Sequence, residues 1–321
     1  MINSATAVHN FIGIAPLQTE QLRNLLTLSQ ELAKGGDNAA YKNILANKAI
    51  VTLFYEPSTR TRSSFTLAAY RLGARTLDIA PDNSSLEKGE TILDTLVSLQ
   101  AMNPDLFVVR HSGNDVIKQM LARMHSPLVN AGDGSNEHPS QTLLDLLTIL
   151  LHKGDISKLK IALVGDIAHS RVARSFIHAM DKLRCAELRL IGPEALLPDN
   201  FCESDVIIER DMDKGLAGVD IIMMLRIQKE RIEEAKQQGG LLANPDDYFK
   251  LYGLSPKRLQ LANPDALVMH PGPINRGVEI SSEVADSPSS LILKQIEYGV
   301  FARMAIFLSL LDDECIKRVW G

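Results

Sequence analysis

The 321-residue sequence has little of what several common protein classes require. Its three cysteines, Cys185, Cys202 and Cys315, are far apart and form no C-x-x-C pair. We therefore expect neither a disulfide framework nor a structural zinc site, and the pattern is typical of a reducing compartment. The net charge of −5 argues against a general nucleic-acid-binding surface. Any anionic ligand must then be held by local clusters of arginine and lysine.

Further absences exclude other classes. No apolar run has the length and freedom from charge that a membrane span needs, and the first nine residues lack the basic start and apolar core of a secretory signal. The sequence has no H-E-x-x-H motif, no G-K-[ST] loop and no recognisable nucleophile motif of serine or cysteine. We expect a cytoplasmic protein that uses no metal and no cofactor and has no nucleic-acid or membrane partner.

The most informative stretch is a strand-to-helix corner at residues 55–62. The apolar run 49–54 predicts a buried strand, and the pattern that follows predicts a helix ending near Gly73. Pro57 ends the strand, and the start of the new helix offers backbone N–H groups to an anion. The alternative is an ordinary capped helix with two solvated arginines. The donors that favour a phosphate site are Ser58, Thr59, Arg60, Thr61 and Arg62.

The rest of the chain alternates short apolar runs with helical patterns. This order predicts an α/β fold with two doubly wound domains, each a parallel sheet flanked by helices. A polar break near residue 153 predicts a first domain at 1–152 and a second at 153–290. The last helical pattern, within about 291–321, is expected to return to the first domain. Residues 237–254 carry Gly, Pro and Asp and are predicted to form a mobile loop.

Cationic and amide side chains recur just after the predicted strands. Open parallel sheets bind ligands at the carboxyl ends of their strands, so these groups are expected to face one cleft. Donors without a nucleophile suit a transfer between two bound anions, with catalysis by positioning and by stabilising oxyanion charge. Each taken singly could also be a surface ion-pair or structural residue. The set is Arg60, Lys88, Arg110, His138, Gln141, Arg171, Arg226 and Gln228.

Five ordered motifs together resemble the carbamoyltransferase family over nearly the whole chain. The motifs are Ser58-Thr59-Arg60-Thr61-Arg62, Lys88-Gly89-Glu90-Thr91, Val109-Arg110-His111, His138-Pro139-Ser140-Gln141 and His270-Pro271-Gly272-Pro273. The stretch from Met224 to Arg231 and the residues from His270 to Ile280 resemble the aspartate branch. The ornithine branch would have H-P-C-Q and H-C-L-P in the fourth and fifth motifs.

The resemblance implies transfer of the carbamoyl group of carbamoyl phosphate to the amine of L-aspartate, a step of pyrimidine biosynthesis, without a covalent intermediate. It implies that carbamoyl phosphate is bound by Ser58, Thr59, Arg60, Thr61, Arg110, His138, Gln141, Pro271 and Gly272. L-Aspartate would be bound by Lys88, Arg171, Arg226 and Gln228, and the catalytic set would be Arg60, Thr61, Lys88, Arg110 and His138. His270 is expected to fix the Pro-Gly-Pro loop.

The resemblance also implies an assembly. Active sites in the family are shared within a homotrimer, so Lys88 would act in a neighbouring subunit, accompanied by Ser84 or Ser85. Regulatory or dihydroorotase-like chains are possible further partners. Two other functions stay open at this stage: a carbamoyltransferase for a different amino acid, and a non-catalytic subunit that binds carbamoyl phosphate or phosphate.

Overall fold

The computed structural model describes residues 9–35, 41–79, 91–198, 205–227 and 245–321. The chain divides into two compact units. The first contains Met1–Leu147 and Ile296–Gly321, and the second contains Thr148–Gln295. No helix of the described ranges combines the length and the apolar character needed to cross a membrane.

Strands of parallel sheets fill the centre of each unit. In the part of the chain that is described, the first sheet has the order β2-β1-β3-β4 and the second the order β7-β6-β5-β8-β9. All neighbouring strands are parallel. The strands are β1 Ala49–Phe54, β2 Arg75–Ile79, β3 Leu106–His111, β4 Leu128–Asp133, β5 Lys160–Val164, β6 Glu187–Ile191, β7 Val206–Glu209, β8 Ile221–Met224 and β9 Leu267–Met269.

Helices connect these strands. They are α1 Thr19–Gly35, α2 Thr59–Arg71, α3 Ile92–Gln100, α4 Val116–Leu121, α5 Pro139–Lys153, α6 Arg171–Leu183, α7 Met212–Leu216, α8 Pro245–Tyr252, α9 Pro256–Leu259, α10 Ser282–Ala285, α11 Ile292–Leu311 and α12 Asp313–Trp320. The predicted fold class, two parallel sheets flanked by helices, is confirmed.

The helix α11 returns to the first unit, as the sequence predicts. Its Phe307 ring lies 5.7 Å from the ring of Phe65 in α2, and both side chains are fully buried. Arg303 of α11 is also buried, and its Nη1 donates to the Ser64 hydroxyl at 3.0 Å. Burial lowers the pKa of Arg303 to about 9. The helix that follows the strand-to-helix corner is therefore anchored by α11.

Each sheet has one point where successive connections run in opposite directions. In the first sheet this point lies between β1 and β3, because β2 pairs on the other side of β1. In the second sheet it lies between β5 and β8 for the same reason. Ligand sites of open α/β sheets form at such points, outside the carboxyl ends of the strands. The two points bring together different sets of the predicted residues, one set in each unit.

The predicted loop at 237–254 is wrong in its last part. Residues Pro245–Tyr252 form a helix, α8, in which Tyr248 is buried. Pro at the first helical position and acids in the first turn are helix-start signals that outweigh the loop-forming composition. The earlier residues of that stretch, 237–244, lie outside the described residues.

Candidate active site

The strand-to-helix corner forms as predicted between β1 and α2. Ser58 is the N-cap residue, with extended backbone angles of φ −158° and ψ 90°, but its hydroxyl makes no cap hydrogen bond. That hydroxyl is thus available to a ligand, together with the N–H groups at the start of the helix. Thr61 is buried and Arg60 is exposed. Arg62 instead pairs with Asp78 of β2, at 3.2 Å.

Arg110 lies at the carboxyl end of β3, beside the corner. It pairs in register with Phe54, the last residue of β1, and the Tyr55 N–H donates to its carbonyl at 2.9 Å. β3 continues to His111, two residues past the last apolar residue of its run, Val109. The ladder to β4 shifts between Val109 and His111. The Arg110 side chain is 8% exposed and therefore acts in a largely dry environment.

Three acceptors fix the Arg110 guanidinium. Nη1 donates to the carbonyl of Ala131 at 3.1 Å and lies 3.3 Å from Nε2 of His138. Nη2 donates to Glu56 Oε1 at 2.5 Å. The sequence analysis did not identify Glu56 as a functional residue. Its partner Arg110 is 54 positions away in the chain, so no local signal in the sequence marks the pair.

His138 is buried immediately before helix α5. The helix begins at Pro139, and Pro is favoured at a first helical position. A guanidinium can only donate, so Nε2 of His138 accepts from Arg110, and the neutral ring then carries its proton on Nδ1. His138 and Arg110 thus form one connected pair at the end of the first sheet.

Gln141 lies one turn into α5 and is buried. Its Nε2 donates to Oδ1 of Asp145 at 2.9 Å. Because a carboxylate only accepts, this contact turns the amide nitrogen toward Asp145 and leaves the amide oxygen as the acceptor for a ligand. An oxygen acceptor is what an amino group of a ligand requires. The structure therefore brings Arg110, His138 and the strand-to-helix corner together, with Gln141 one turn into the helix that follows His138.

The second unit carries the other predicted residues. Arg171 is the first residue of α6, which follows β5, and Arg226 is exposed directly after β8. These are the two strands on either side of the switch point of the second sheet. Lys88, Gln228 and the alternatives Ser84 and Ser85 lie outside the described residues.

The helix start at Arg171 is fixed by Ser170. The Ser170 hydroxyl accepts from the Ala173 N–H at 3.1 Å, which is a regular N-cap. We expect Ser170→Ala to lower the free energy of unfolding by about 1 kcal/mol, measured by urea denaturation. Ser63→Ala, at an exposed serine inside α2, is the matched control and should not lower it. Equal unfolding free energies for wild type and Ser170→Ala would contradict the assignment.

Pro271 and Gly272 lie in the loop after β9, and His270 fixes that loop. The Gly272 N–H donates to Nδ1 of His270 at 2.7 Å, and the His270 ring is buried. Gly272 has φ +63°, a left-handed conformation that glycine adopts without a steric penalty. The His270 ring and the left-handed Gly272 therefore define the backbone conformation of this loop.

The thiols of the described residues are poor nucleophiles. Burial raises the pKa of Cys185 to about 11 and that of Cys315 to about 12. The thiolate is the reactive form, so neither thiol is activated at neutral pH. The third cysteine, Cys202, lies outside the described residues.

Comparisons with known proteins define the class. The description "Aspartate/ornithine carbamoyltransferase, carbamoyl-P binding domain" matches residues 9–150, and "Aspartate/ornithine carbamoyltransferase, Asp/Orn binding domain" matches residues 157–310. The chain belongs to the aspartate/ornithine carbamoyltransferase family, which confirms the resemblance read from the motifs. Within the family it is 47% identical to the aspartate carbamoyltransferase catalytic subunit of Beijerinckia indica subsp. indica, over 94% of this chain and 93% of that protein.

Solved structures give the same result. Aspartate transcarbamoylase from Trypanosoma cruzi in complex with carbamoyl phosphate has a TM-score of 0.84 and 31% identity, covering 94% of this chain and 96% of that one. Ornithine carbamoyltransferase from Thermus thermophilus has a TM-score of 0.83 at 22% identity, covering 96% and 100% of the two chains. The second likeness shows the shared fold alone.

Proposed function

We propose that the chain transfers the carbamoyl group of carbamoyl phosphate to the amine of L-aspartate, giving N-carbamoyl-L-aspartate and phosphate. The observation that carries the proposal is the buried Arg110–His138 pair beside the open N-cap at Ser58. The pair supplies donors for a carbonyl oxygen, and the corner supplies donors for a phosphate. The 47% identical relative is named as an aspartate carbamoyltransferase catalytic subunit.

The first unit is proposed to bind carbamoyl phosphate. Ser58, Thr59, Arg60 and Thr61 hold the phosphate, and Gln141 accepts from the carbamoyl amino group through its free amide oxygen. Arg110 donates hydrogen bonds to both the phosphate and the carbamoyl oxygen. A negative ligand there competes with the Glu56 carboxylate for the guanidinium, so Glu56 must release or share one donor when the substrate binds.

The second unit is proposed to bind L-aspartate. Arg171 and Arg226 bind the two carboxylates, with Gln228 and Lys88 as further donors. Pro271 and Gly272 belong to the carbamoyl phosphate set, to which they contribute backbone groups near the reacting carbon. Two guanidiniums favour a dicarboxylate over an amino acid with a cationic side chain, since each forms a charge-assisted pair with one carboxylate. The division of labour between domains 1–152 and 153–290 is part of this proposal.

The chemistry follows from these charges. The aspartate nitrogen attacks the carbamoyl carbon, a C–N bond forms, and negative charge builds on the carbamoyl oxygen. Thr61, Arg110 and His138 stabilise that charge. The C–O bond to phosphate then breaks, and the phosphate leaves with the bonding electron pair. We propose that the leaving phosphate also takes the amine proton, so that no protein side chain acts as general base.

The experiment is a product assay with purified protein, carbamoyl phosphate and either L-aspartate or L-ornithine. Formation of N-carbamoyl-L-aspartate with no citrulline is the expected result. Citrulline formation would move the chain to the ornithine branch. Binding of carbamoyl phosphate without turnover of either amino acid would support a binding subunit and overturn the proposal.

We further propose a homotrimeric, cytoplasmic enzyme of pyrimidine biosynthesis in which Lys88 enters the site of a neighbouring subunit. Mixed trimers test this, since a Lys88→Ala chain and an Arg60→Ala chain each lack a different half of a shared site. Mixing the two inactive proteins after dissociation is expected to restore part of the activity through hybrid sites. If hybrids form, as judged by mass, and stay inactive, the site lies within one chain.

A further inference from the structure

A carboxylate is fully buried in the second unit behind the loop after β9. Glu279 has no exposed surface, and its Oε1 accepts from the backbone N–H of Asn275 at 2.5 Å. The same oxygen lies 3.1 Å from Nε2 of His270. A buried carboxylate carries a desolvation cost of several kcal/mol unless its hydrogen bonds are made. Two donors on one oxygen meet part of that cost.

The direction of these hydrogen bonds is determined by the loop itself. Nδ1 of His270 accepts from the Gly272 N–H, so in the neutral ring the proton lies on Nε2 and is donated to Glu279. Glu279 thereby holds the loop at two places. One is Gly272, through the His270 ring, and the other is Asn275, through its backbone.

The Asn275 side chain connects this loop to a second one. Its Nδ2 donates to the carbonyl of Ile227 at 3.2 Å, and Ile227 directly follows Arg226. A third segment lies close by. The Tyr248 hydroxyl and Oε2 of Glu279 are both buried without a hydrogen-bond partner in the described structure. Gly165, directly after β5, lies near Tyr248, since a Cβ placed on it would be 3.5 Å from the hydroxyl.

We propose that Glu279 is a positioning residue for the amino-acid site: it sets the Pro271–Gly272 backbone and the segment of Arg226 relative to one another. The assignment of this site to an amino acid rests on the proposed function, whereas the coupling of the two loops does not. No atom of Glu279 contacts substrate in this account. It acts through His270 and through the Asn275 contact to Ile227, and its carboxylate is the one acceptor common to both routes.

Glu279→Ala should weaken the use of L-aspartate selectively. We expect kcat/KM for L-aspartate to fall about 100-fold, since small misplacements of substrate-positioning groups have effects of that size. KM for carbamoyl phosphate should change by less than about tenfold, because its donors in the first unit keep their own contacts and only the Pro271–Gly272 backbone lies in the affected loop. A purely structural role would impair the use of both substrates by similar factors, or would lower only the unfolding midpoint.

Two further variants control the result. Glu279→Gln keeps an oxygen that accepts from both donors and loses only the charge. Its kcat/KM for L-aspartate should therefore be only about tenfold below that of the wild type. Glu283→Ala removes an exposed glutamate from the adjacent helix α10 and should behave as wild type. Glu279→Ala with wild-type aspartate kinetics would overturn the proposal.

Hydrogen exchange gives a readout that needs no activity. In Glu279→Ala, peptides covering 270–276 and 221–227 should both exchange faster, while peptides of β5 should not. If that variant does not fold, Asn275→Ala tests the same coupling, since it removes only the side-chain contact to Ile227. Unchanged exchange in residues 221–227, in every one of these variants that folds, would overturn the coupling. Absence of aspartate turnover in the wild type would overturn the proposed function instead. The exchange result would still decide whether the two loops are coupled.

Discussion

Replacing Arg110 with alanine should lower kcat/KM for the carbamoyl transfer about 1000-fold, at the upper end of the effect of losing one oxyanion donor. The guanidinium is 8% exposed and is held by Ala131, His138 and Glu56. Its charge therefore acts in a low-dielectric site and needs little reorganisation during the reaction. The measurement is steady-state kinetics with both substrates varied.

The variants around Arg110 separate charge from geometry. Arg110→Lys keeps the charge but not the planar fork that contacts Ala131, His138 and Glu56 together, so most of the loss should remain. Arg123→Ala, at an exposed arginine beyond α4, is the matched control and should be fully active. Activity of Arg110→Ala within tenfold of wild type would remove Arg110 from the proposed site.

Arg110→Ala should also be less stable. It removes the Arg110 donor from the buried His138 ring, and a buried polar group that loses a hydrogen-bond partner costs about 1–3 kcal/mol. A urea titration separates this effect from the kinetic one. A variant that is stable at the assay temperature and still inactive locates the loss in the reaction.

The parts of the fold that could be predicted from sequence are those with strong local signals. Strand β1 has the predicted bounds, Ala49–Phe54, because a continuous apolar run ends at a turn containing proline. Helix α2 ends at Arg71, close to the predicted end near Gly73. The two elements flank the corner that carries candidate site residues.

Element ends that carry polar residues were harder to predict. β3 contains Arg110 and His111, and β4 runs to Asp133, because hydrogen bonds to neighbouring strands extend the ladder past the apolar run. The sequence analysis also missed several short elements, among them Val116–Leu121, Val206–Glu209 and Met212–Leu216. Edge strands and single-turn helices owe their formation to packing rather than to a local pattern.

The candidate site shows the same division. Donors such as Arg60 and Arg226 follow apolar strands and could be found from spacing. Their acidic counterparts could not, because a tertiary pair leaves no local signal: Glu56 and Arg110 are 54 positions apart. Glu279 and Asp145 were missed for a related reason, since a buried acid cannot be told from a solvated one until its surroundings are known.

Arg226→Ala should raise KM for L-aspartate about 100- to 1000-fold, which corresponds to about 3–4 kcal/mol for a lost charge-assisted contact to a bound carboxylate. KM for carbamoyl phosphate should change little. The exposed Arg276, which pairs with Asp286 through two contacts of 2.7 Å, provides the matched control, and Arg276→Ala should keep wild-type kinetics. An aspartate KM that stays within threefold of wild type in Arg226→Ala would exclude a role in amino-acid binding.

L-Asparagine reveals which carboxylate Arg226 serves. If Arg226 binds the side-chain carboxylate, the wild-type preference for L-aspartate over L-asparagine should largely disappear in Arg226→Ala, because the neutral amide never made the charged contact. If it binds the α-carboxylate, both amino acids should lose the same factor and the preference should persist. Since Ile227 is held through Asn275, the Glu279→Gln variant should change this preference less than Arg226→Ala does. In the proposed site the guanidinium recognises the carboxylate, whereas Glu279 would only determine where that guanidinium lies.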